Sequence, residues 1–236
     1  MNFEGIKAIA FDFGGTLDIP GVHWFDFLWS LIQEGHFSEL EITEVQYYDA
    51  YVFAERRLEI LTIPEDTNMM DLLKMKFTYQ LEYLNENKII SINEAQISAL
   101  SLTYAFKAFT IVDENLDKAR EILERLSCFH KIYIVSNYYG NLKTILEKAQ
   151  ILPHITKIFD STVVGIRKPD PEIWRKALEH SGCKPKEFLV VGDSMKNDIL
   201  PAISLGCPAI LINKEQQEEE YMGVQLHDLE MIPQLV

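Results

Sequence analysis

The stretch that decides the fold is IKAIAFDF at positions 6–13, which is followed at once by Gly14 and Gly15. It is short, mostly apolar and stopped by a turn, which is typical of a buried strand in a parallel sheet. Similar runs predict further strands at KIYIVS (131–136), FLVVG (188–192) and AILI (209–212). Asp12 would then lie at the carboxyl end of the first strand.

Helical patterns separate these predicted strands. Asp113 is an N-cap candidate for a helix that runs to about residue 126. Asp170 is a second one, with Pro171 at the first helical position of a helix that runs to about residue 181. Alternating strands and helices predict an α/β fold, here a Rossmann-like three-layer core with a parallel sheet.

Residues 18–109 contain no persistent strand pattern. Segments 42–61, 69–86 and 92–109 carry aromatic and aliphatic residues at helical spacing, and Ser91 with Glu94 form a capping box for the last one. We therefore predict an α-helical cap subdomain at 18–109, inserted in a core made of 1–17 and 110–236. The aromatic stripe Tyr47, Tyr48, Tyr51 and Phe53 is expected to pack inside it.

Composition and charge restrict the class of protein. The chain has 236 residues, 47% of them hydrophobic, which is enough for one α/β domain with an insert. A formal net charge of −14 would repel a phosphate backbone, so a nucleic-acid partner is not expected. The only biased run, EQQEEE at 215–220, is interpreted as a solvated face.

The expected location is the cytoplasm, without a membrane partner. The N-terminus has no long apolar region, and no later segment approaches 18 uncharged apolar residues. Cys128, Cys183 and Cys207 are odd in number and lack a Cys-x-x-Cys spacing, so we expect reduced thiols and no zinc site.

In open α/β sheets, ligands bind at the carboxyl ends of the strands. Polar residues follow the predicted strands at these ends. They are Asp12, the pair Ser136-Asn137, and Asp193, to which Lys168 of the loop 165–171 is added. This set offers a carboxylate nucleophile, a hydroxyl donor, a metal ligand and a cation, as phosphoryl transfer to a carboxylate requires. Mg²⁺ would be held by Asp12, Asp193 and a backbone carbonyl of the loop after strand one, with Asp198 in support.

The order of four motifs resembles that of the haloacid dehalogenase-like hydrolases. The motifs are DFGGTL at 12–17, Ser136-Asn137, KPD at 168–170, and GDS at 192–194 with Asn197-Asp198. The resemblance covers essentially the whole chain, and it implies a Rossmann-like core with a helical cap.

The same resemblance implies a role for each residue of the motifs. It makes Asp12 the residue that forms an aspartyl-phosphate, and it places Mg²⁺ on the Gly14 carbonyl and Asp193. It also assigns the phosphoryl oxygens to Ser136 and Lys168, with Asn137 in the same phosphate-binding motif. The resemblance also implies that Asp198 binds Mg²⁺ through water or orients Lys168.

The chain departs from the family pattern at Gly14, where phosphatases of the family usually carry an Asp that serves as general acid and base. A backbone carbonyl survives this change, but a positioned acid contributes about 10²–10⁴ in rate. Three outcomes are open: a substrate whose leaving group needs little protonation, a surrogate acid such as Asp18 or His23, or a weakly active protein. Asp18 and His23 each also have an ordinary structural interpretation, as a turn carboxylate and a surface or packing imidazole.

The sequence therefore predicts a Mg²⁺-dependent phosphatase that acts on a small phosphorylated metabolite in a site closed by the cap. Three alternatives stay open. A dehalogenase would need no metal, and Asp193 and Asp198 argue against it. A phosphonate hydrolase would need a cap lysine, for which Lys74, Lys76 and Lys88 are the candidates. A non-catalytic binding or regulatory protein would keep the Mg²⁺ and phosphate cradle without turnover.

Overall fold

The computed structural model describes residues 3–34, 42–214, 221 and 223–236. The acidic run at 215–220 lies outside the described residues, so its predicted solvated face is not addressed. The described chain contains a six-stranded sheet in the order β3-β2-β1-β4-β5-β6, in which all neighbouring strands are parallel. The strands are β1 (Ala8–Phe11), β2 (Lys131–Ser136), β3 (Lys157–Asp160), β4 (Phe188–Gly192), β5 (Ala209–Ile212) and β6 (Val224–Leu226).

Strand β1 lies at the centre of the sheet, between two strands that come from the second half of the chain. Ala8 is in register with Lys131 of β2 and with Phe188 of β4. The predicted strands at 131–136, 188–192 and 209–212 are confirmed at those bounds. The first strand is shorter than predicted, because Asp12 and Phe13 already belong to the turn that follows it.

Both faces of the sheet are buried, as a parallel sheet covered by helices requires. On one face the alternate residues Ala8, Ala10 and Val190 pack in a cluster with Ile173 and Trp174. The residues between them, on the opposite face, are equally buried and include Ile9, Phe11, Ile132, Ile134, Leu189 and Val191. Each fully buried Val, Ile or Phe contributes about 1.5–3 kcal/mol to the free energy of folding. The α/β fold predicted from the sequence is confirmed.

The helices of the described chain include four long ones before β2. They are α1 (Trp24–Gln33), α2 (Glu44–Ile60), α3 (Met69–Glu86) and α4 (Glu94–Ser127). The later helices are α5 (Leu142–Lys148), α6 (Ser161–Val164), α7 (Glu172–Ser181) and α8 (Leu200–Ser204), and a π-helical turn at Met195–Ile199 precedes α8.

Helix α4 corrects two predictions. Asp113 does not begin a new helix, because α4 continues through it as one helix of 34 residues. No Gly or Pro occurs between residues 94 and 127 to interrupt it. The capping box at its start is formed by Asn93 and Gln96 and not by Ser91 and Glu94: the Asn93 side chain accepts from the Gln96 N–H at 3.0 Å, and the Gln96 side chain accepts from the Asn93 N–H at 2.9 Å.

Helix α7 begins at Glu172, one residue later than predicted, so Pro171 lies at the N-cap and not at the first helical position. The Asp170 carboxylate accepts a hydrogen bond from the Glu172 N–H at 2.9 Å, which is a capping contact. The helix ends at Ser181, where Gly182 adopts the left-handed conformation with a φ of 71°. Helix α7 thus carries Trp174 into the core from a defined starting point just after the loop that contains Lys168.

The chain divides into two compact units, residues 1–23 with 113–236, and residues 24–112. We refer to them as the sheet unit and the helical unit. In the helical unit the aromatic residues of α2 pack against neighbouring rings: Tyr47 stacks on Trp29 at 5.3 Å, and Phe25 meets Tyr48 and Tyr51 edge-on. The predicted boundaries of the cap, 18 and 109, stay a prediction.

Helix α4 is also the one helix of the described residues that is long and apolar enough to cross a membrane. Only a third of its most apolar window is buried. Length and composition alone are weak support for a span, since a core helix of a soluble protein passes the same test. Its last part, residues 113–127, contains eight charged side chains and so is unsuited to hydrocarbon.

Candidate active site

The turn after β1 holds Asp12 in place. Asp12 Oδ1 accepts a hydrogen bond from the Phe13 N–H at 2.6 Å, and the side chain is buried with 6% exposure. The Phe13 carbonyl in turn accepts from the N–H groups of Thr16 and Leu17 at 3.2 and 2.8 Å. The chain therefore folds back directly after Asp12, which leaves the carboxylate at the carboxyl end of the central strand.

Gly15 allows this turn to approach the loop after β4. Its φ is +81°, and a Cβ at this position would collide with the carboxylate of Asp193. Only glycine meets both requirements without strain. Gly14 lies beside it in the same turn, partly buried, and does not have a positive φ.

Asp18 and His23, the predicted substitutes for the missing acid, occupy different surroundings. Asp18 is fully buried, and its Oδ1 accepts hydrogen bonds from the N–H groups of Gly15 and Ile19, both at 2.7 Å. Its carboxylate therefore stabilises the turn. The sequence left two interpretations of Asp18 open, a surrogate acid and a turn carboxylate, and these contacts are those of a turn carboxylate. His23 is exposed.

Lys168 lies between two carboxylates. Its Nζ is 2.7 Å from Asp12 Oδ1 and 2.7 Å from Asp198 Oδ1, and its side chain is 3% exposed. The face of the Trp174 ring, 5.4 Å away, supports the ammonium from the side of the core. Burial alone would lower the pKa of Lys168, but the charges of Asp12 and Asp198 outweigh it and raise the pKa, so the ammonium stays charged.

The loop after β4 presents two more carboxylates. Asp198 Oδ2 accepts from the Ser194 N–H at 3.0 Å, and the Ser194 side chain caps the π-helical turn at the Asn197 N–H. A Cβ on Gly192 would lie 2.5 Å from the Asp198 side chain, so this glycine makes room for the carboxylate next to β4. Asp193 is half-buried, and its Oδ1 lies 3.5 Å from the Thr16 hydroxyl.

Asp12, Asp193 and Asp198 each offer one carboxylate oxygen, and these three oxygens lie within 4.8 Å of one another. Three carboxylates against the single charge of Lys168 leave two negative charges in a small volume. Burial raises the pKa of Asp193 and of Asp198, and the charge of Asp12 adds to both rises, while Lys168 acts in the opposite direction. The charge of Asp198 also raises the pKa of Asp193. Hard oxygen ligands with two unbalanced negative charges fit a divalent cation such as Mg²⁺.

Ser136 and Asn137 end the strand next to β1. Ser136 is buried with 2% exposure. The Asn137 side chain forms two hydrogen bonds with the main chain of Lys168, at 2.8 and 3.0 Å. The structure therefore brings Asp12, Lys168, Asp193 and Asp198 into direct contact or close proximity, and it links Asn137 to the backbone and not to the ammonium of Lys168.

Two residues of the site were not singled out from the sequence. Thr16 lies in the DFGGTL motif, and its position in that motif was a usable signal. No signal in the sequence pointed to Trp174, because a tryptophan on the buried face of a helix usually packs in the core. The structure shows that its indole N–H also donates to the Asn197 carbonyl at 3.0 Å.

Comparison with known proteins gives a family and a fold that agree with those predicted from the sequence. The family described as "Hydrolase: haloacid dehalogenase-like hydrolase" matches residues 6–206. A glyceraldehyde 3-phosphate phosphatase of Methanothermobacter thermautotrophicus is 37% identical over 75 residues, which cover 32% of this chain and 33% of that protein. One of Pyrococcus furiosus is 26% identical over 183 residues, which cover 72% and 75%. The chain spans about two fifths or less of the length of the first curated relatives it matches.

Solved structures share the fold. The magnesium-bound HAD-hydrolase YfnB of Bacillus subtilis superposes with a TM-score of 0.59 at 18% identity, over 98% of both chains. A crystal structure of a dehalogenase superposes with a TM-score of 0.63, also at 18% identity, over 99% of this chain and 98% of the other. At this identity the likeness concerns the fold and not the reaction.

Proposed function

This chain belongs to the haloacid dehalogenase-like hydrolases, and on that premise we propose that it is a Mg²⁺-dependent phosphatase of a small phosphorylated metabolite. The observation that carries the proposal is the position of the Lys168 ammonium, 2.7 Å from the carboxylates of both Asp12 and Asp198, with Asp193 in the same group. A carboxylate can approach a phosphate dianion only where cations cancel their repulsion, and this arrangement provides for two of them.

In the proposed reaction a carboxylate oxygen of Asp12 attacks phosphorus. The bond between phosphorus and the leaving oxygen breaks, its electron pair stays on that oxygen, and an aspartyl-phosphate forms. Water then attacks this phosphorus, which releases orthophosphate and restores the Asp12 carboxylate. Lys168 holds phosphoryl oxygens in both steps, with the Ser136 hydroxyl as a further donor.

Asp12, the Gly14 carbonyl, Asp193 and Asp198 are the groups that would hold Mg²⁺, directly or through water. When bound there, the cation neutralises phosphoryl oxygens and reduces their repulsion from Asp12. The raised pKa of Asp193 supports this assignment, because a buried carboxylate among like charges gains most from a cation.

The leaving group is proposed to need little protonation. Position 14 has no side chain to supply a proton, the Asp18 carboxylate is engaged by two backbone N–H groups, and His23 is exposed. A phosphate ester or anhydride with a weakly basic leaving oxygen would react fastest on such a site.

Among the relatives, the names glyceraldehyde 3-phosphate phosphatase and pyrimidine 5'-nucleotidase support a small phosphorylated substrate.

We propose that the protein is cytoplasmic and has no nucleic-acid or membrane partner. We also propose that the helical unit acts as the cap. The net charge of −14 supports the absence of a nucleic-acid partner. Of the three lysines considered for a phosphonate hydrolase, Lys74 and Lys88 are exposed, while Lys76 is buried and paired with Glu55.

The test is an assay with p-nitrophenyl phosphate and acetyl phosphate, with Mg²⁺ and with EDTA, on the wild type, Asp12→Asn and Asp117→Asn. Asp117 is an exposed aspartate of α4 and serves as the matched control. We expect turnover that needs Mg²⁺, survives in Asp117→Asn and is lost in Asp12→Asn. Orthophosphate binding in Mg²⁺ without turnover of either substrate would reject the phosphatase in favour of the binding protein, and halide release from 2-chloropropionate in EDTA would favour the dehalogenase.

A further inference from the structure

The main chain at Lys168 is held by one side chain from a different strand. Asn137 Oδ1 accepts a hydrogen bond from the Lys168 N–H at 2.8 Å, and Asn137 Nδ2 donates to the Lys168 carbonyl at 3.0 Å. The two bonds run in opposite directions, as between paired peptide groups, so a single amide satisfies both backbone groups of Lys168. They also fix which end of the Asn137 amide is oxygen and which is nitrogen.

The lysine needs such support, because its own segment is irregular. Lys168 lies between α6, which ends at Val164, and α7, which begins at Glu172, and its neighbours Arg167, Pro169 and Asp170 are all exposed. Asn137, in contrast, directly follows β2, the immediate neighbour of β1 in the sheet. The two hydrogen bonds therefore tie the irregular segment to the sheet that also carries Asp12.

The ammonium is restrained independently of this contact. It is placed by Asp12, Asp198 and the Trp174 ring, whereas Asn137 acts on the backbone of the same residue. Lysine side chains have several rotatable bonds, so an ammonium holds one position only when its backbone is fixed as well. Asn137 therefore restrains the backbone of Lys168, which the ion pairs of the ammonium do not restrain.

The same contact reduces the ability of Asn137 to bind phosphate. Its oxygen is an acceptor already in use, and one of the two N–H groups of its amide donates to the Lys168 carbonyl. A phosphate that accepted hydrogen bonds from both N–H groups of the Asn137 amide would have to break the bond to the Lys168 carbonyl. The resemblance placed Asn137 in the phosphate-binding motif, and these two bonds leave at most one amide N–H of Asn137 for a phosphate.

We propose that the Asn137 side chain is a positioning residue, which contributes to phosphate binding through Lys168 and not by contact with the phosphate. The proposal rests on the proposed function, because it takes Lys168 to be the phosphate ligand. The two residues of the Ser136-Asn137 motif then have different roles: the hydroxyl is proposed to bind the phosphate, and the amide positions the lysine.

The experiment is a double-mutant cycle on the full chain with inorganic phosphate as the probe. Its dissociation constant in saturating Mg²⁺ is measured by ³¹P NMR titration for the wild type, Asn137→Ala, Lys168→Met and the double variant. Asn87→Ala is the matched control, because the Asn87 amide also donates to a main-chain carbonyl, that of Tyr83 at 2.8 Å. Mg²⁺ affinity is measured in parallel, since Asn137 touches none of the three carboxylates.

We expect Asn137→Ala to weaken phosphate binding about tenfold with unchanged Mg²⁺ affinity, and to add nothing when Lys168 is already methionine. Equal loss in both backgrounds would show a direct phosphate ligand and overturn the proposal, as would no loss in either. Unchanged phosphate binding in Lys168→Met would instead reject the proposed function. If Asn137→Ala does not fold, Asn137→Ser, too short to bridge both backbone groups, takes its place.

Discussion

The ammonium of Lys168 and the carboxylate of Asp198 are 2.7 Å apart in the interior of the protein, with 3% and 0% of their side chains exposed. An ion pair at the same distance joins Arg120 and Asp117 on the surface of α4. The two pairs differ in burial far more than in geometry. They therefore provide a direct comparison of what an ion pair contributes inside and outside this protein.

Asp198→Ala should lower the free energy of unfolding by about 1–3 kcal/mol, because a buried ammonium keeps only one of its two carboxylates and the Ser194 N–H loses its acceptor, while relief of the repulsion from Asp12 offsets part of the loss. Asp117→Ala should cost under about 1 kcal/mol, since water replaces an exposed partner. Urea denaturation without Mg²⁺ measures both values. Similar losses in the two variants would mean that the burial of Lys168 does not make its pairing costly to break.

Gly15→Ala should abolish the thermal stabilisation by Mg²⁺. The new Cβ would collide with Asp193, and the positive φ adds roughly 1–2 kcal/mol of strain. Gly165→Ala is the control, because its φ of +75° carries the same strain but a Cβ there meets nothing within 4 Å. Melting temperatures with and without Mg²⁺ separate the two, and an unaltered Mg²⁺ response in Gly15→Ala would contradict the proposed role of Asp193.

Gly14→Asp should increase turnover of simple alkyl phosphates by about 10²–10⁴, the contribution of a positioned acid. The backbone at Gly14 has no positive φ, so it accepts a side chain without the strain expected at Gly15. The gain should be much smaller with p-nitrophenyl phosphate, whose leaving group needs no proton. The ratio of kcat/KM for the two substrates is the measurement, and an equal change for both would show that position 14 does not limit protonation.

Asp160 predicts a pH dependence of stability. Burial raises the pKa of its carboxyl, although the N–H groups of Thr162 and Gly140, each at 2.9 Å, act in the opposite direction. The folded state therefore binds this proton more tightly than the unfolded state, and the contribution of Asp160 to stability falls as pH rises from about 4 through the raised folded pKa.

Asp160→Asn does not titrate, so it should cost less stability at about pH 7 than at about pH 4. Urea denaturation of the wild type and the variant at both pH values tests this difference. The contributions of the other ionisable groups are nearly the same in the two proteins and largely cancel when one is subtracted from the other. A cost that grows with pH would show that the backbone hydrogen bonds outweigh burial at this carboxylate.

The three cysteines form no disulfide, and their exposure predicts different reactivity. Cys207 is 4% exposed, and burial raises the pKa of its thiol to about 11, so on the order of a thousandth is thiolate at about pH 8. Cys128 is exposed and should react first with a thiol reagent. Cys128→Ser should remove this rapid phase, and Cys207 should react only in urea. Rapid labelling of Cys207 in the folded protein would contradict its burial.

Periodicity and turn residues were sufficient for the centre of the sheet. Strands β2, β4 and β5 are apolar runs between turn signals, and their bounds could be read directly. Strands β3 and β6 lie at the two edges of the sheet and are partly exposed, so they carry no apolar run comparable to those of β2, β4 and β5. Their pairing depends on neighbours that are distant in sequence.

The helix boundaries show a different limit. Asp113 has the residue type of an N-cap, but the chain around it gains more from continuing α4 than from beginning a new helix. Ser91 was predicted as the cap of α4, but the cap is Asn93, because the position of the first helical turn decides which side chain reaches a free N–H.

The residue types of the candidate site could be predicted, because strand ends in a parallel sheet converge on one edge. Their contacts could not. The pairing of Asn137 with the main chain of Lys168 depends on how the loop before α7 meets the end of β2, and no spacing in the sequence encodes it. The same is true of the Trp174 ring beside the Lys168 ammonium.

The place of β1 in the middle of the sheet has a consequence for the protein as it leaves the ribosome. Its two neighbours begin at residues 131 and 188, so the central strand cannot complete its pairing until β4 has been synthesised. Until then a segment rich in Ala, Ile and Phe has unpaired edges, which invites aggregation. A chain truncated before β4 is therefore expected to aggregate through this strand.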